Sequence, residues 1–323
     1  MPTLSMPSSL SRREALRLLA AGTGGLFSTS LWPQTSTACA MANPPQQDDS
    51  MRRRAIPSSG EKLPVVGLGT WQQFDVGSSE TARAPLKEVL RTLVALGGSV
   101  VDASPMYGRA EAVMGALSDA LGLTDEIFAA TKVWTRGRKD GIRQMEASME
   151  KMRHRPMDLI QVHNLVDWQT HLDTLRDWRA EGRVRYTGVT HHRIAAFDQL
   201  ARVIRTTDID FVQLPYSLRT RRAEEQLLPL AAENDVAVIV NRPYEGGALF
   251  RAVDGIPLPE WARSFVDGWD QFFLKFILSR PEVTCVIPGT SDPEHCHSNM
   301  RAGYGPLPDE DTRRRMVRYF EQR

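Results

Sequence analysis

The chain has 323 residues and carries 40 Lys and Arg against 39 Asp and Glu, a formal net charge of +1. So even a balance leaves no electrostatic footprint for nucleic acid or an anionic membrane surface, and three cysteines are too few for a disulfide scaffold. The length suits one large α/β domain, with small-molecule chemistry as the default expectation.

In chain order, residues 1–40 read as an export signal and not as part of the fold. Ser11-Arg12-Arg13-Glu14-Ala15-Leu16-Arg17 resembles a twin-arginine motif. A weakly apolar stretch interrupted by Gly22, Gly24 and Gly25 follows, and Ala38-Cys39-Ala40 supplies a small-x-small cleavage site. The stretch is too short and glycine-rich for a permanent span, so the mature protein is expected to have no stable membrane insertion. Cleavage after Ala40 removes three Arg and one Glu and leaves 37 basic and 38 acidic residues. The expected location is the periplasm, with the twin-arginine export machinery as a partner that carries the protein folded. Residues 41–60, rich in Pro, Gln and Ser, are expected to be a disordered lead-in in which Arg52, Arg53 and Arg54 are solvated.

From residue 61 to 323 short β-branched runs alternate with longer amphipathic stretches, which predicts a parallel sheet wrapped by helices. Strands are expected at 64–69, 99–102, 127–132, 157–163, 184–190, 211–214, 236–241 and 283–288. Helices are expected at 81–96, 109–121, 141–153, 168–181, 194–205, 223–234, 261–279 and 293–301, with a terminal one at 309–320. Val89, Leu93 and Leu96 show the three-to-four spacing that buries one face. Eight strands in one domain of this length fit an α/β fold of the (β/α)8 TIM-barrel type. An open dinucleotide-binding sheet would need a third glycine after Gly67-Leu68-Gly69-Thr70-Trp71, and there is none.

Four stretches carry the chemistry. They are Val101-Asp102-Ala103-Ser104-Pro105-Met106-Tyr107-Gly108, Ala130-Thr131-Lys132-Val133-Trp134, Asp158-Leu159-Ile160-Gln161-Val162-His163-Asn164 and Val286-Ile287-Pro288-Gly289-Thr290-Ser291. Each of the first three is an apolar run that ends in polar residues, as when a barrel strand delivers a side chain to its catalytic end. In this order they resemble the aldo/keto reductases. The resemblance implies reduction of an aldehyde or ketone, or oxidation of the alcohol, by hydride transfer from NAD(P)(H), with Asp102, Tyr107, Lys132 and His163 as the catalytic set. Tyr107 would give its proton to the carbonyl oxygen. A phenol near pKa ~10 is a poor acid at neutral pH, so the Lys132 ammonium would stabilise the phenolate. Asp102 would pair with Lys132, and His163 would hydrogen-bond and orient the carbonyl oxygen.

The same resemblance implies cofactor contacts from Gly69, Thr70, Asp102, Thr190, His191, Gln213, Asn241, Arg242, Pro243, Gly289, Thr290, Ser291, His295 and Asn299. Thr190 and Gln213 would grip the nicotinamide carboxamide, since an amide pairs well with an amide. Arg242 or Tyr244 would stand where many members stack a tyrosine on the ring. Gly289 and His295 replace a Lys and an Arg that NADP-selective members often carry. Thr290, Ser291 and the backbone N–H groups of the last barrel helix could still bind the phosphate, with Asn299 at the adenine. NADP(H) is therefore favoured only modestly over NAD(H).

Trp71, Met106 and Trp134 would form an apolar wall for the substrate, a small-molecule carbonyl or alcohol, and the connection 245–270 with Trp261 and Trp269 would cover the mouth. A catalytically idle nicotinamide-nucleotide-binding module is the competing reading. His191-His192 and His295-Cys296-His297 could suggest a metal site, but adjacent or alternate histidines present no common tetrahedral face, and no metal is expected.

Overall fold

The computed structural model describes residues 50–323; the expected export signal and residues 41–49 lie outside them. A two-stranded antiparallel hairpin, β1 (Arg53–Ala55) and β2 (Lys62–Pro64), comes first. Eight parallel strands follow in chain order: β3 (Leu68–Gly69), β4 (Val100–Asp102), β5 (Phe128–Val133), β6 (Met157–His163), β7 (Val184–Thr190), β8 (Phe211–Pro215), β9 (Ala237–Asn241) and β10 (Val283–Val286). Parallel bridges from Val66 to Val286 and from Gly69 to Gly289 join the two edges, so the sheet is a (β/α)8 barrel. Its outer layer is α1 (Glu80–Ala95), α2 (Ala110–Leu121), α3 (Arg138–Met152), α4 (Trp168–Ala180), α5 (Phe197–Thr206), α6 (Leu227–Glu233), α7 (Ala248–Ala252), α8 (Trp269–Leu278), α9 (Pro293–Arg301) and α10 (Glu310–Glu321). No helix among the described residues is long and apolar enough to cross a membrane.

Successive side chains of a strand point to opposite faces, so residues two apart share the barrel interior. Near the strand starts those positions are apolar: Val100, Phe128, Leu159, Tyr186, Phe211, Ala237 and Cys285, all buried in one cluster. Further along the same strands they become Asp102, Lys132, Gln161, His163, Thr190, Gln213 and Asn241. One pleat therefore builds a greasy base and a polar top, and the top faces the strands' carboxyl ends.

The hairpin seals the base. Ile56 and Leu63 join the interior cluster, and Arg54 donates to the carbonyls of Arg280 (2.7 Å), Leu278 (2.5 Å) and Val283. Burial, with Arg52 nearby, lowers the Arg54 guanidinium to about 10, so it stays charged at neutral pH. The expected disordered lead-in is thus corrected for residues 50–60, and Arg54 is a structural cation. Composition hid this because Ile56 is the sole large apolar residue between Met51 and Leu63.

Two helices are shorter than expected. Pro229 lacks an N–H and fits only a first helical turn, so α6 starts at Leu227 after a separate 3-10 turn, Arg222–Glu224. Gly268 is the N-cap of α8, leaving Trp261 in a 3-10 turn, Glu260–Ala262. The expected first strand 64–69 also divides into the end of β2 and the two-residue β3.

Arg54→Ala should destabilise the protein by roughly 4–5 kcal/mol, the low end of what three charge-assisted hydrogen bonds at ~1.5–3 kcal/mol each supply. The denaturant midpoint measures this, and a loss under ~1 kcal/mol would show that the base does not depend on Arg54.

Candidate active site

The polar top is organised by Asp102, the last residue of β4 and 2% exposed. Its Oδ2 accepts from Lys132 Nζ at 2.6 Å, and its Oδ1 accepts from Gln213 Nε2 at 2.9 Å and Gln161 Nε2 at 3.4 Å. The Asp102 backbone carbonyl accepts from the hydroxyl of Thr70 at 2.9 Å and its N–H at 3.1 Å. One carboxylate thus ties β5, β6 and β8 to β4, and its own carbonyl fixes the turn after β3.

Lys132 is wholly buried and also donates to the Ala103 carbonyl at 2.7 Å. Burial opposes its charge, yet Asp102 and then Tyr107 outweigh this and raise its pKa above the ordinary lysine value. Its Nζ lies 5.1 Å from the centre of the Tyr107 ring. Tyr107 is held there by a compact turn: its N–H donates to the Ser104 carbonyl at 3.0 Å, and Arg109 N–H donates to Asp75 at 3.1 Å. Gly108 sits at φ 61° with the Asp75 carboxylate where a Cβ would be, so only glycine fits. The sequence predicts a lowered Tyr107 pKa. The structure reverses the sign: burial raises it, and the opposing effect of Lys132 is smaller.

His163 ends β6 with its ring 5.9 Å from that of Tyr107, edge to face. Burial, then Lys132, His192 and His191, depress its pKa to about 2, so the ring is neutral. The turn after it is strained, with Asn164, Leu165 and Asp167 all in the left-handed region.

Thr190, Gln213 and Asn241 lie on three consecutive strands, Thr190 and Asn241 at the strand ends and Gln213 in the middle of β8, and form the opposite wall. Gln213 Oε1 accepts from Thr190 Oγ1 at 3.0 Å and Asn241 Nδ2 at 3.3 Å, while buried Asn241 Oδ1 has no protein partner. Above them opens a cavity of about 540 Å³. Of the residues expected at the site, Asp102, Tyr107, His163, Gly69, Thr70, Thr190, Gln213, Asn241, Arg242, Pro243, Gly289, Trp71 and Met106 line it.

Other expected residues stand elsewhere. Lys132 is wholly buried and outside the lining, with its Nζ 5.1 Å from the centre of the Tyr107 ring. His191 turns aside to accept from the Arg193 N–H at 3.0 Å, and its stacked neighbour His192 lines the cavity instead, bonded to Asn164 at 3.0 Å. Trp134 is outside the lining, with its ring 6.5 Å from that of His163. Trp269 packs on Phe272 and Tyr319, and Trp261 on Phe272 and Tyr319, so the mouth is walled by Tyr244, Gly246, Gly247 and Phe250 from the start of 245–270 and its preceding residue.

Thr290, Ser291, His295 and Asn299 are also outside the lining. The N–H groups of Glu294 and His295, expected to be available to a phosphate, are taken by Asp292 Oδ1 at 2.7 and 3.2 Å. Thr290 Oγ1 accepts from the Asp292 N–H at 3.0 Å, and Asn299 accepts from the Tyr244 hydroxyl. Gly289 passes so close to β3 that a Cβ there would lie 3.1 Å from the Gly69 carbonyl, a packing reason for the absence of a larger residue.

Sequence reasoning missed Ser104, Gln161 and His192. Gln161 was findable, since it lies two residues before His163 on an inward-alternating strand; nothing distinguishes His192 from His191 in sequence.

A family model, the aldo/keto reductase family, matches residues 65–315. The chain belongs to the aldo/keto reductase family. It is accordingly an NAD(P)-dependent oxidoreductase acting on carbonyl groups. The aldo-keto reductase YhdN of Bacillus subtilis is 25% identical over 59% of this chain, a match spanning 61% of that relative's length. The methylglyoxal reductase YeaE of Escherichia coli is 29% identical over 77% of this chain and 89% of its own. An aldo-keto reductase of Klebsiella pneumoniae solved with NADPH shares the fold, with a TM-score of 0.70 at 22% identity, over 84% of this chain and 96% of its own.

Proposed function

We propose that this reductase is exported and reduces a small aldehyde or ketone with Tyr107 as the proton donor. The observation that carries the reading is a fully buried ammonium, Lys132, set 5.1 Å from the Tyr107 ring and compensated by Asp102. A phenol that will lose a proton is placed beside a fixed positive charge, which favours the phenolate as it forms.

The wall opposite Tyr107 suits a nicotinamide. Asn241 Oδ1 is a buried acceptor without a partner on a residue that lines the cavity, and a carboxamide N–H would satisfy it. Thr190, Gln213 and Asn241 would hold that amide. When bound, the cofactor supplies the hydride to the carbonyl carbon. The phenolic proton of Tyr107 passes to the carbonyl oxygen, Lys132 balances the phenolate, and neutral His163 hydrogen-bonds the same oxygen and fixes its direction. Carbonyl, hydride and proton together give the alcohol. Trp71, Met106 and Phe250, all exposed at the mouth, give the substrate an apolar approach, and the reductase relative named for methylglyoxal makes a small oxoaldehyde the first substrate to try.

Selection between NADP(H) and NAD(H) is shallow on this reading. The modest preference for NADP(H) calls on Thr290, Ser291 and the backbone N–H groups at the start of α9, and Asp292 occupies two of those N–H groups with a negative charge.

Tyr107→Phe should lower carbonyl turnover by ~10²–10⁴ with nucleotide binding intact, and Lys132→Met should add little to that loss because both disable one proton donor. Near wild-type turnover in Tyr107→Phe would exclude it as the acid, whereas nucleotide binding without single-turnover reduction in the wild type would favour the idle module. Because Tyr107 is raised above its ordinary value of 10, the phenol stays protonated through neutrality. Reduction should therefore hold its rate from about pH 6 to 8, while alcohol oxidation, which needs the phenolate, should climb into the alkaline range.

Asp292→Ser should keep the helix cap and raise the NADP(H)/NAD(H) affinity ratio about two- to fivefold, the scale of one charge at a helix N-terminus. Calorimetric titration with both nucleotides reads the ratio; no change would place any phosphate away from α9.

For export, replacing Arg12 and Arg13 with Lys should leave active, uncleaved protein in the cytoplasm. A normally cleaved periplasmic product from that variant would refute the twin-arginine reading of residues 1–40.

A further inference from the structure

We infer that Ser104 is a positioning residue that holds the neutral His163 ring in the tautomer protonated on Nε2, so that the ring offers the cavity a donor and not a lone pair. The inference rests on the reading of His163 as the group that hydrogen-bonds the substrate oxygen. It names what makes His163 able to do so.

Ser104 is fully buried in the turn between Asp102 and Tyr107, and its Oγ lies 3.0 Å from His163 Nδ1. The same Oγ accepts from the Met106 N–H at 3.4 Å. A hydroxyl has one proton to give and two lone pairs to receive with. Met106 uses one lone pair, and among the described residues Nδ1 is the other partner of Oγ. Were Nδ1 protonated, Ser104 would accept twice and its own proton would be buried with nowhere to go, which folded proteins avoid. The hydroxyl therefore donates to Nδ1. That nitrogen keeps its lone pair.

A neutral imidazole has a single ring proton, so it sits on Nε2. The ring is neutral here because it is buried near the Lys132 ammonium and beside His192 and His191. Nε2 has no protein partner among the described residues, and His163 lines the cavity. A carbonyl oxygen brought to Nε2 thus meets an N–H. In the other tautomer two lone pairs would face each other and the oxygen would be pushed away from Tyr107. The turn that carries the proton donor therefore also sets the hydrogen-bonding sense of the group across from it.

The experiment uses full-length protein labelled with ¹⁵N-histidine and multiple-bond ¹H–¹⁵N spectra, with His163 assigned by comparison with His163→Gln. Wild-type His163 should show a pyridine-type Nδ1 and a pyrrole-type Nε2. In Ser104→Ala the tautomer ratio should fall about fivefold, the worth of one hydrogen bond, and draw the two nitrogens toward averaged shifts. Turnover with methylglyoxal should fall by up to about fivefold for the same reason, with nucleotide affinity unchanged. A wild-type ring protonated on Nδ1 would overturn the inference without any variant, and so would Ser104→Ala nitrogens that do not move. If the nitrogens move and turnover does not, the hold of Ser104 on the ring stands and the role given to His163 in reduction fails.

Discussion

An ammonium at the centre of a barrel needs a counter-charge, and here a single carboxylate supplies it. Asp102 and Lys132 are both buried and 2.6 Å apart, so each is the counter-charge of the other. Such a pair adds little to net stability, because taking two charges out of water costs about what their attraction returns. Its value is positional. The carboxylate has hydrogen-bonding capacity left after Lys132, and it is filled by Gln213 and Gln161, which aligns the Thr190, Gln213 and Asn241 wall with the Tyr107 side. Displacing Asp102 would disturb the charge beneath Tyr107 and the amide wall at once.

The same economy appears along the strands. A residue pattern with a two-residue repeat is apolar where the hairpin closes the base and polar where the cavity opens, so the barrel needs no separate active-site insertion for its floor. Loops contribute what strands cannot: the Tyr107 turn clamped by Asp75, the left-handed turn after His163, and the Tyr244–Phe250 wall.

Much of this was legible in the sequence because strand ends leave a chemical trace. Asp102, His163, Thr190 and Asn241 each close an apolar run, Lys132 and Gln213 interrupt one, and alternation alone puts all six on one face. Features set by backbone direction or by competition for a donor were not legible. His191 and His192 are equivalent as letters, and only the path of the chain beyond β7 decides which enters the cavity. The α9 amides looked free because nothing in Thr290-Ser291-Asp292 says that the aspartate folds back onto them. Similarly, the sign of the Tyr107 shift depends on burial, which a sequence names for neither partner. The base hairpin was missed because its two apolar anchors, Ile56 and Leu63, are separated by polar residues with no repeat.

The bridges from Val66 to Val286 and from Gly69 to Gly289, together with Arg54 on the carbonyls of residues 278, 280 and 283, join the first and last parts of the barrel sheet. A ribosome makes those parts at widely separated times. Until β10 has emerged, β3 has one neighbour, β9 shows an open edge and Arg54 has no carbonyls to bind, so the growing chain carries the unpaired edges most prone to pairing with another molecule. Closure is therefore a late, non-local event that must first overcome the entropy of bringing distant segments together. A quality-control step that distinguishes finished from unfinished copies of this protein is in effect asking whether its first and last strands have met.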